Sequence, residues 1–354
     1  MGEHGMRRRA SRRAVLAAGI LGTALTVGVG QPAVAAAGSP LTRVGTQSFY
    51  DAPDLSYAYG RLYVAEPRAN RVSSLDLRGR ARVEVTEVPS VQAADRSFGR
   101  ILSVTGARGY VPDLDLDASV PQPPDGWRAS MLFVNPLGQK AKPVTTFRTG
   151  GGRGNPVDVL GPTFAGGPVL VVDRAAGVVR LVEQQTGRSL VLFRPPTGVP
   201  VSVARGPRGL YVAVSAGTLS DAGAVYVLNP VDGRVRSVVK GFFDPSQLTV
   251  APDGTIFLTQ EWYPWGGRID DPAYGDPPCA CGQIVRIAGD GSRSYLTMAQ
   301  PSGIAWGDGR LFATQNSTSP WYFRPSPWSQ VVQVDLAGFG PGSSVQTGPP
   351  LSES

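Results

Sequence analysis

Five carboxylates are placed where chemistry could be concentrated. Asp54 and Asp158 stand just after Pro53 and Pro156, while Glu66, Asp113 and Asp173 each close a short strand-like phrase, "RLYVAE", "RGYVPD" and "PVLVVD". Brought together, such acids repel one another unless a cation, a proton or hydrogen-bond donors compensate them. Oxygen-only ligands suit Ca²⁺, and Asp54 and Asp158 are the candidate metal or substrate contacts. Acids of this kind could also serve a hydrolase or lyase that works without histidine.

That condition matters because His4 is the only histidine in the chain. It belongs to a leader: Ser11-Arg12-Arg13-Ala14-Val15-Leu16, then a short apolar run, then small residues around Ala33 to Ala37. This is the pattern of a twin-arginine export signal with a peptidase site, expected to be cleaved after residue 37. The alternative, a membrane anchor, meets a run rich in Gly and Ala and shorter than the ~20 residues a span needs. Cleavage removes His4, and with it Ser-His-Asp hydrolysis, histidine bases and His-ligated zinc. It also removes five arginines and one glutamate, which takes the formal charge from +7 to +3. No block of like charge remains for nucleic acid or an anionic membrane. A secreted monomer with no stable membrane insertion is expected.

Two further groups could do chemistry. Trp127, Trp262, Tyr263, Trp265, Trp321, Tyr322 and Trp328 lie in three long polar stretches rich in Pro. Aromatic residues there would offer a recognition surface for a small molecule, a glycan or a protein partner, or would pin the stretches together as satellite cores. Cys279 and Cys281, in "PPCACG", are the only cysteines. In an oxidising compartment an i,i+2 disulfide is expected, with free thiols or an intermolecular bridge as alternatives.

The elements that must position these residues are written in a repeat. The phrase "GRLYVAE" at 60–66 has a near copy, "GRLFATQ", at 309–315. Between them lie further second strands, "RGYVPD", "PVLVVD", "GLYVAV" and "TIFLTQ", each followed by a third strand such as "AVYVLNPVDG" or "QIVRIAGDG". Alternating β-branched and aromatic positions broken by Asp-Gly, Gly-Gly and Thr-Gly turns read as antiparallel hairpins. Prolines at 53, 156, 200, 245 and 301 open the units, with a second unit opened by Phe98-Gly99-Arg100. The period predicts an all-β, six-bladed β-propeller of four-stranded antiparallel blades over residues 38–338, followed by a Gly/Pro/Ser-rich tail over 339–354. "LTRVGTQSF" at 41–49 stands where fourth strands stand before the other prolines, so the N-terminal strand should close the last blade.

The units "QPSGIAWGDGRLFAT" and "DPSQLTVAPDGTIFLT" resemble those of NHL-repeat and SMP-30/gluconolactonase-like propellers. That resemblance implies the same ring. It also implies that the acid after "LYVA" accepts backbone N–H bonds from a neighbouring loop, which would make Gln260 and Gln315 neutral versions of one brace. The calcium site of gluconolactonases resembles a set of Glu, Asn and Asp residues after the blade-opening prolines. Asp54 matches it, but Val157, Val201, Ser246 and Ser302 stand at the corresponding places. Two functions are therefore expected as alternatives: a secreted propeller that binds through the aromatic loops of units 2, 5 and 6, or a Ca²⁺-dependent hydrolase, lactonase or lyase using the carboxylates of units 1–3.

Overall fold

The computed structural model describes residues 39–50, 52–86, 91–96, 102–106, 130–134, 142–146, 148–149, 152–153, 156–164, 166–216, 222–260, 282–315 and 329–341. The expected twin-arginine signal, residues 1–37, lies outside them. Among the described residues no helix is long and apolar enough to cross a membrane.

Five blades are built from four consecutive strands each. Blade 1 comprises β2 (Leu55–Ala58), β3 (Arg61–Glu66), β4 (Arg71–Asp76) and β5 (Ala81–Val85). Blade 2 comprises β6 (Val91–Arg96), β7 (Leu102–Gly106), β8 (Ser130–Val134) and β9 (Lys142–Thr146), and is followed by a small hairpin of β10 (Arg148–Thr149) and β11 (Gly152–Arg153). Blade 3 runs through β12 (Pro156–Leu160), β13 (Val169–Asp173), β14 (Val178–Val182) and β15 (Ser189–Phe193). Blade 4 has β16 (Val199–Gly206), β17 (Gly209–Ser215), β18 (Gly223–Leu228) and β19 (Val235–Phe242), and blade 5 has β20 (Pro245–Val250), β21 (Ile256–Gln260), β22 (Gly282–Ile287) and β23 (Arg293–Met298).

The sixth repeat differs. It supplies only β24 (Ile304–Gly307), β25 (Arg310–Gln315) and β26 (Gln330–Val334), after which the chain enters a 3-10 turn at Leu336–Gly338 instead of a fourth strand. The fourth place in this sheet is taken by β1 (Leu41–Arg43), antiparallel to β26 with Leu41 opposite Val334. The expectation of a six-bladed ring is thereby corrected, while the N-terminal strand does complete the last sheet as expected. The chain makes five blades of four strands each and one composite sheet assembled from its two ends. Val44 N–H donates to Val331 O at 2.9 Å, and Phe49 bridges Ser329, so the strap after β1 is tied down as well.

The phasing of blade 2 is corrected too. Its first strand is β6, ahead of Phe98-Gly99-Arg100, and its second is β7, not "RGYVPD". Val91 takes the place that proline holds in blades 3 to 5, so the strand carries no proline to announce it.

Side chains pack between blades, not within a single layer. Among the described residues there are six apolar clusters, one at each contact between neighbouring sheets; Val201, Tyr211 and Phe242 of blade 4, for example, pack on Leu248, Val250 and Ile256 of blade 5. Strands sandwiched this way must be apolar on both faces, and β13 and β21 are buried at every position. The outer strands β15 and β19 are mostly exposed or half-buried, which suits edges that face water. At ~1.5–3 kcal/mol for each large apolar side chain, the clusters dominate the stability.

Candidate functional site

The inner strand of blades 2 to 5 opens with a register shift: two residues stand opposite one between Val91 and Ala93, Pro156 and Asp158, and Pro200 and Ser202, and a similar shift lies between Pro245 and Leu248. A proline or valine starts the strand, one residue bulges, and the next turns its side chain toward the following blade. Ala93, Asp158, Ser202 and Gln247 are so placed, and Asp54 and Gly303 stand at the matching positions just before β2 and β24; the four polar residues are buried where the inner strands begin.

Asp54 and Asp158, the candidate metal or substrate contacts, are both buried. Asp54 Oδ2 accepts from Ala94 N–H of blade 2 at 2.8 Å, and its Oδ1 accepts from the Gln247 side-chain amide of blade 5. Asp158 Oδ2 accepts from Val203 N–H of blade 4 at 2.7 Å, and Oδ1 from Val159 N–H of its own strand at 2.7 Å. Burial raises both acids. It lifts Asp54 well above the usual carboxylate range, reinforced by the charge of Asp158 and opposed by the Ala94 amide. Asp158 is pushed up to about 7 by burial, against the pull of the Val203 amide and the Ser202 hydroxyl.

A third acid joins them that sequence reasoning did not select. Asp95, two residues beyond Ala93, accepts from Gly161 N–H of blade 3 at 2.7 Å and is raised by burial, partly offset by that amide and by Arg205. Arg205 is itself lowered by burial. Asp95 was hidden by the misplaced phase of blade 2; the spacing Val91-x-Ala93-x-Asp95 would have exposed it.

As they stand, these carboxylates do not form a cation cage. Each oxygen of Asp54 and Asp158 already accepts an N–H, Ca²⁺ asks for six to eight oxygens, and the described residues contain no group of three or more His, Cys, Asp or Glu side chains able to hold a metal. What the arrangement can do is bind protons, hold blades, and present polar groups to a ligand in the channel.

Glu66 and Asp173 close the second strands, beside the starts of the inner strands. Glu66 is fully buried, takes a bidentate pair from Arg71 at 2.8 and 2.9 Å, and accepts from Ser73 and from Tyr50 N–H at 3.0 Å. Asp173 accepts from Ala176 N–H and from Arg180 Nε, both at 3.2 Å. The equivalent Gln260 accepts from Gln283 and donates to Phe243 O, both at 2.6 Å, and Gln315 donates to Gln330 at 3.1 Å. Glu66–Arg71, Gln260–Gln283 and Gln315–Gln330 are the same cross-strand pair. An ionic version of the brace in blade 1 is matched by neutral ones in blade 5 and the composite sheet. Asp113 lies outside the described residues.

So do Trp127, Trp262, Tyr263, Trp265, Trp321, Tyr322, Trp328, Cys279 and Cys281. Their stems are described: the long insertions leave from Gly106, Gln260 and Gln315 and return at Ser130, Gly282 and Ser329. In an up-and-down blade these ends share the face on which the inner strands begin, so they stand beside the channel mouth.

No family model matches this chain, and no curated protein sequence matches it significantly. Solved structures do resemble it. A gluconolactonase from Xanthomonas campestris is 13% identical, with 83% of this chain and 89% of that one covered at a TM-score of 0.56. Regucalcin, a calcium-binding protein from Agrobacterium tumefaciens, is 12% identical over 82% and 92%, with a TM-score of 0.54. Hydrazine synthase from Kuenenia stuttgartiensis is 15% identical over 77% and 75%, with a TM-score of 0.52. A ring shared by proteins so differently named shows the β-propeller fold and leaves the activity to the site.

Proposed function

We propose that the protein is an exported propeller that binds a small molecule or glycan at the channel mouth, between the aromatic loops of blades 2 and 5 and the composite sheet. One observation carries this reading: the three long insertions spring from second-strand ends, on the face where the inner strands begin with Asp54, Asp158, Ser202 and Gln247. Their tryptophans offer rigid, amphipathic contact area, and the channel polar groups beneath would orient what they hold. The twin-arginine leader supports the exported setting.

The test is tryptophan fluorescence and melting temperature during titration with oligosaccharides of glucose, N-acetylglucosamine and mannose. Saturable quenching that Trp265→Ala or Trp321→Ala abolishes is the expected result. No change with any of them, for a folded protein, would remove the glycan reading.

A second reading rests on Asp158. A buried carboxylic acid raised to about 7 is suited to general acid or base work at neutral pH. Hydrolysis of glucono-lactone, assayed with and without Ca²⁺ and lost in Asp158→Asn, would support a hydrolase. A rate equal to that of buffer in both conditions would count against it.

A further inference from the structure

The amide that follows each channel-mouth position forms a second ring: Leu55, Ala94, Val159, Val203, Leu248 and Ile304. Three of these amides are gripped by the preceding blade in an unbroken series. Asp158 takes Val203 N–H, Ser202 Oγ takes Leu248 N–H at 3.1 Å, and Gln247 Oε1 takes Ile304 N–H at 2.5 Å. Asp54 does the same for Ala94. The series fails at two contacts, where the preceding blade offers Ala93 or Gly303 and so has no polar side chain to give.

Both gaps are followed by an aspartate. Val159 N–H, which Ala93 cannot serve, is taken by Asp158 Oδ1 of its own strand. Leu55 N–H, which Gly303 cannot serve, is close enough to the Asp54 carboxyl to pull its pKa down, as a donor to it would. An aspartate has two oxygens, so one holds the local amide while the other holds the next blade. Serine and glutamine, with one acceptor each, suffice only where the preceding blade does its part.

We propose that Ala93 with Asp158, and Gly303 with Asp54, are matched pairs in an inter-blade clasp, the carboxylate being required because the residue before it has no side chain to offer. This gives the acids a role in shutting the ring that does not depend on what the loop face binds. The two gaps are not alike. Gly303 is tight: a Cβ there would stand 2.8 Å from both Leu55 Cβ and Leu55 N. It cannot be filled, and the Gln247 amide reaches past the composite sheet to Asp54 instead. Ala93 packs on Val159, and Ser202 shows that a serine in this position reaches the next amide.

The clasp therefore predicts a rescue. Asp158→Ser should lower the denaturation midpoint by leaving the Val159 amide without an acceptor, and Ala93→Ser in the same chain should restore most of the loss. A double variant no more stable than the two single effects added together would overturn the pairing. Should Asp158→Ser fail to fold, the unaltered protein still decides the matter by native-state hydrogen exchange. Val159 and Leu55 amides should exchange as slowly as Val203, Leu248 and Ile304, and rapid exchange at either would overturn the proposal equally.

Discussion

Blades 1 to 3 and the other half of the ring hold the same amides by different chemistry. In the first half the grips are Asp54 and Asp158, two buried acids, with the half-buried Asp95 holding Gly161 N–H nearby; in the second they are Ser202 and Gln247, which carry no charge. The outer braces follow suit, with Glu66–Arg71 and Asp173–Arg180 in blades 1 and 3 and Gln–Gln pairs in blade 5 and the composite sheet. The neutral half shows that charge is not needed to hold a propeller together. The acidic half must owe its composition to something more local, such as the need for two acceptors after Ala93 and Gly303, and as a result it is the half that responds to pH.

The largest expected effect lies where the halves meet. Deleting Leu41 to Phe49 removes the partner of β26 and the buried Phe49, and exposes an edge beside blade 1. Cooperative unfolding should be lost, as read by circular dichroism. A truncated protein that melts with an unchanged midpoint would show that the composite sheet does not need β1.

Next comes the pH dependence of the acidic half. Asp158 sits at about 7 in the fold against ~4 in an unfolded chain, and Asp54 and Asp95 are shifted the same way. Folded protein therefore binds these protons more tightly. Their stabilising contribution is complete below about pH 4 and is lost as pH rises toward about 7, on the order of 4 kcal/mol for Asp158 alone. The melting temperature should be higher at pH 5 than at pH 8. Equal values, or the reverse order, would mean that the channel acids are ionised in the fold.

A smaller effect separates the two kinds of brace. Glu66→Gln leaves the Arg71 guanidinium without its carboxylate and should cost about 2 kcal/mol, less than a fully buried pair because the Arg71 side chain is 26% exposed. Gln315→Glu, the opposite exchange, should also destabilise, since Gln330 cannot neutralise a charge. If either variant matched the parent in a denaturant titration, the ionic and neutral braces would be interchangeable. Smallest is Ser202→Ala in the neutral half, which removes one hydrogen bond to Leu248 at a cost of about 1–2 kcal/mol. A loss as large as that from Asp158→Ser would erase the distinction between the halves.

Much of this was legible in the chain. Pro-led strands and Gly turns marked the repeat, and "LTRVGTQSF" stood in the place of a fourth strand, because propensity and turn chemistry act locally. Asp54 and Asp158 could be singled out because each follows a unit-opening proline. Asp95 could not, since Val91 stands in the proline's place and "RGYVPD" imitates a second strand. The clasp was illegible for another reason. It joins Gln247 to Asp54 and Asp158 to Val203, contacts that exist only once blades stand side by side, and no spacing within one repeat encodes them.

The composite sheet also fixes an order of events. β1 is the first strand of the ring to be made and the last to find its partner, because β26 follows it by nearly the length of the ring. Until β26 is synthesised, blades 1 to 5 can stack only as an open arc, with unpaired backbone at each end. Loop closure over such a span carries an entropic cost that grows slowly with length, yet it cannot begin before the last repeat exists. A circular permutant carrying residues 39–50 after Pro341 would make that sheet from neighbouring segments, and should reach the closed ring faster than the natural order of the chain allows.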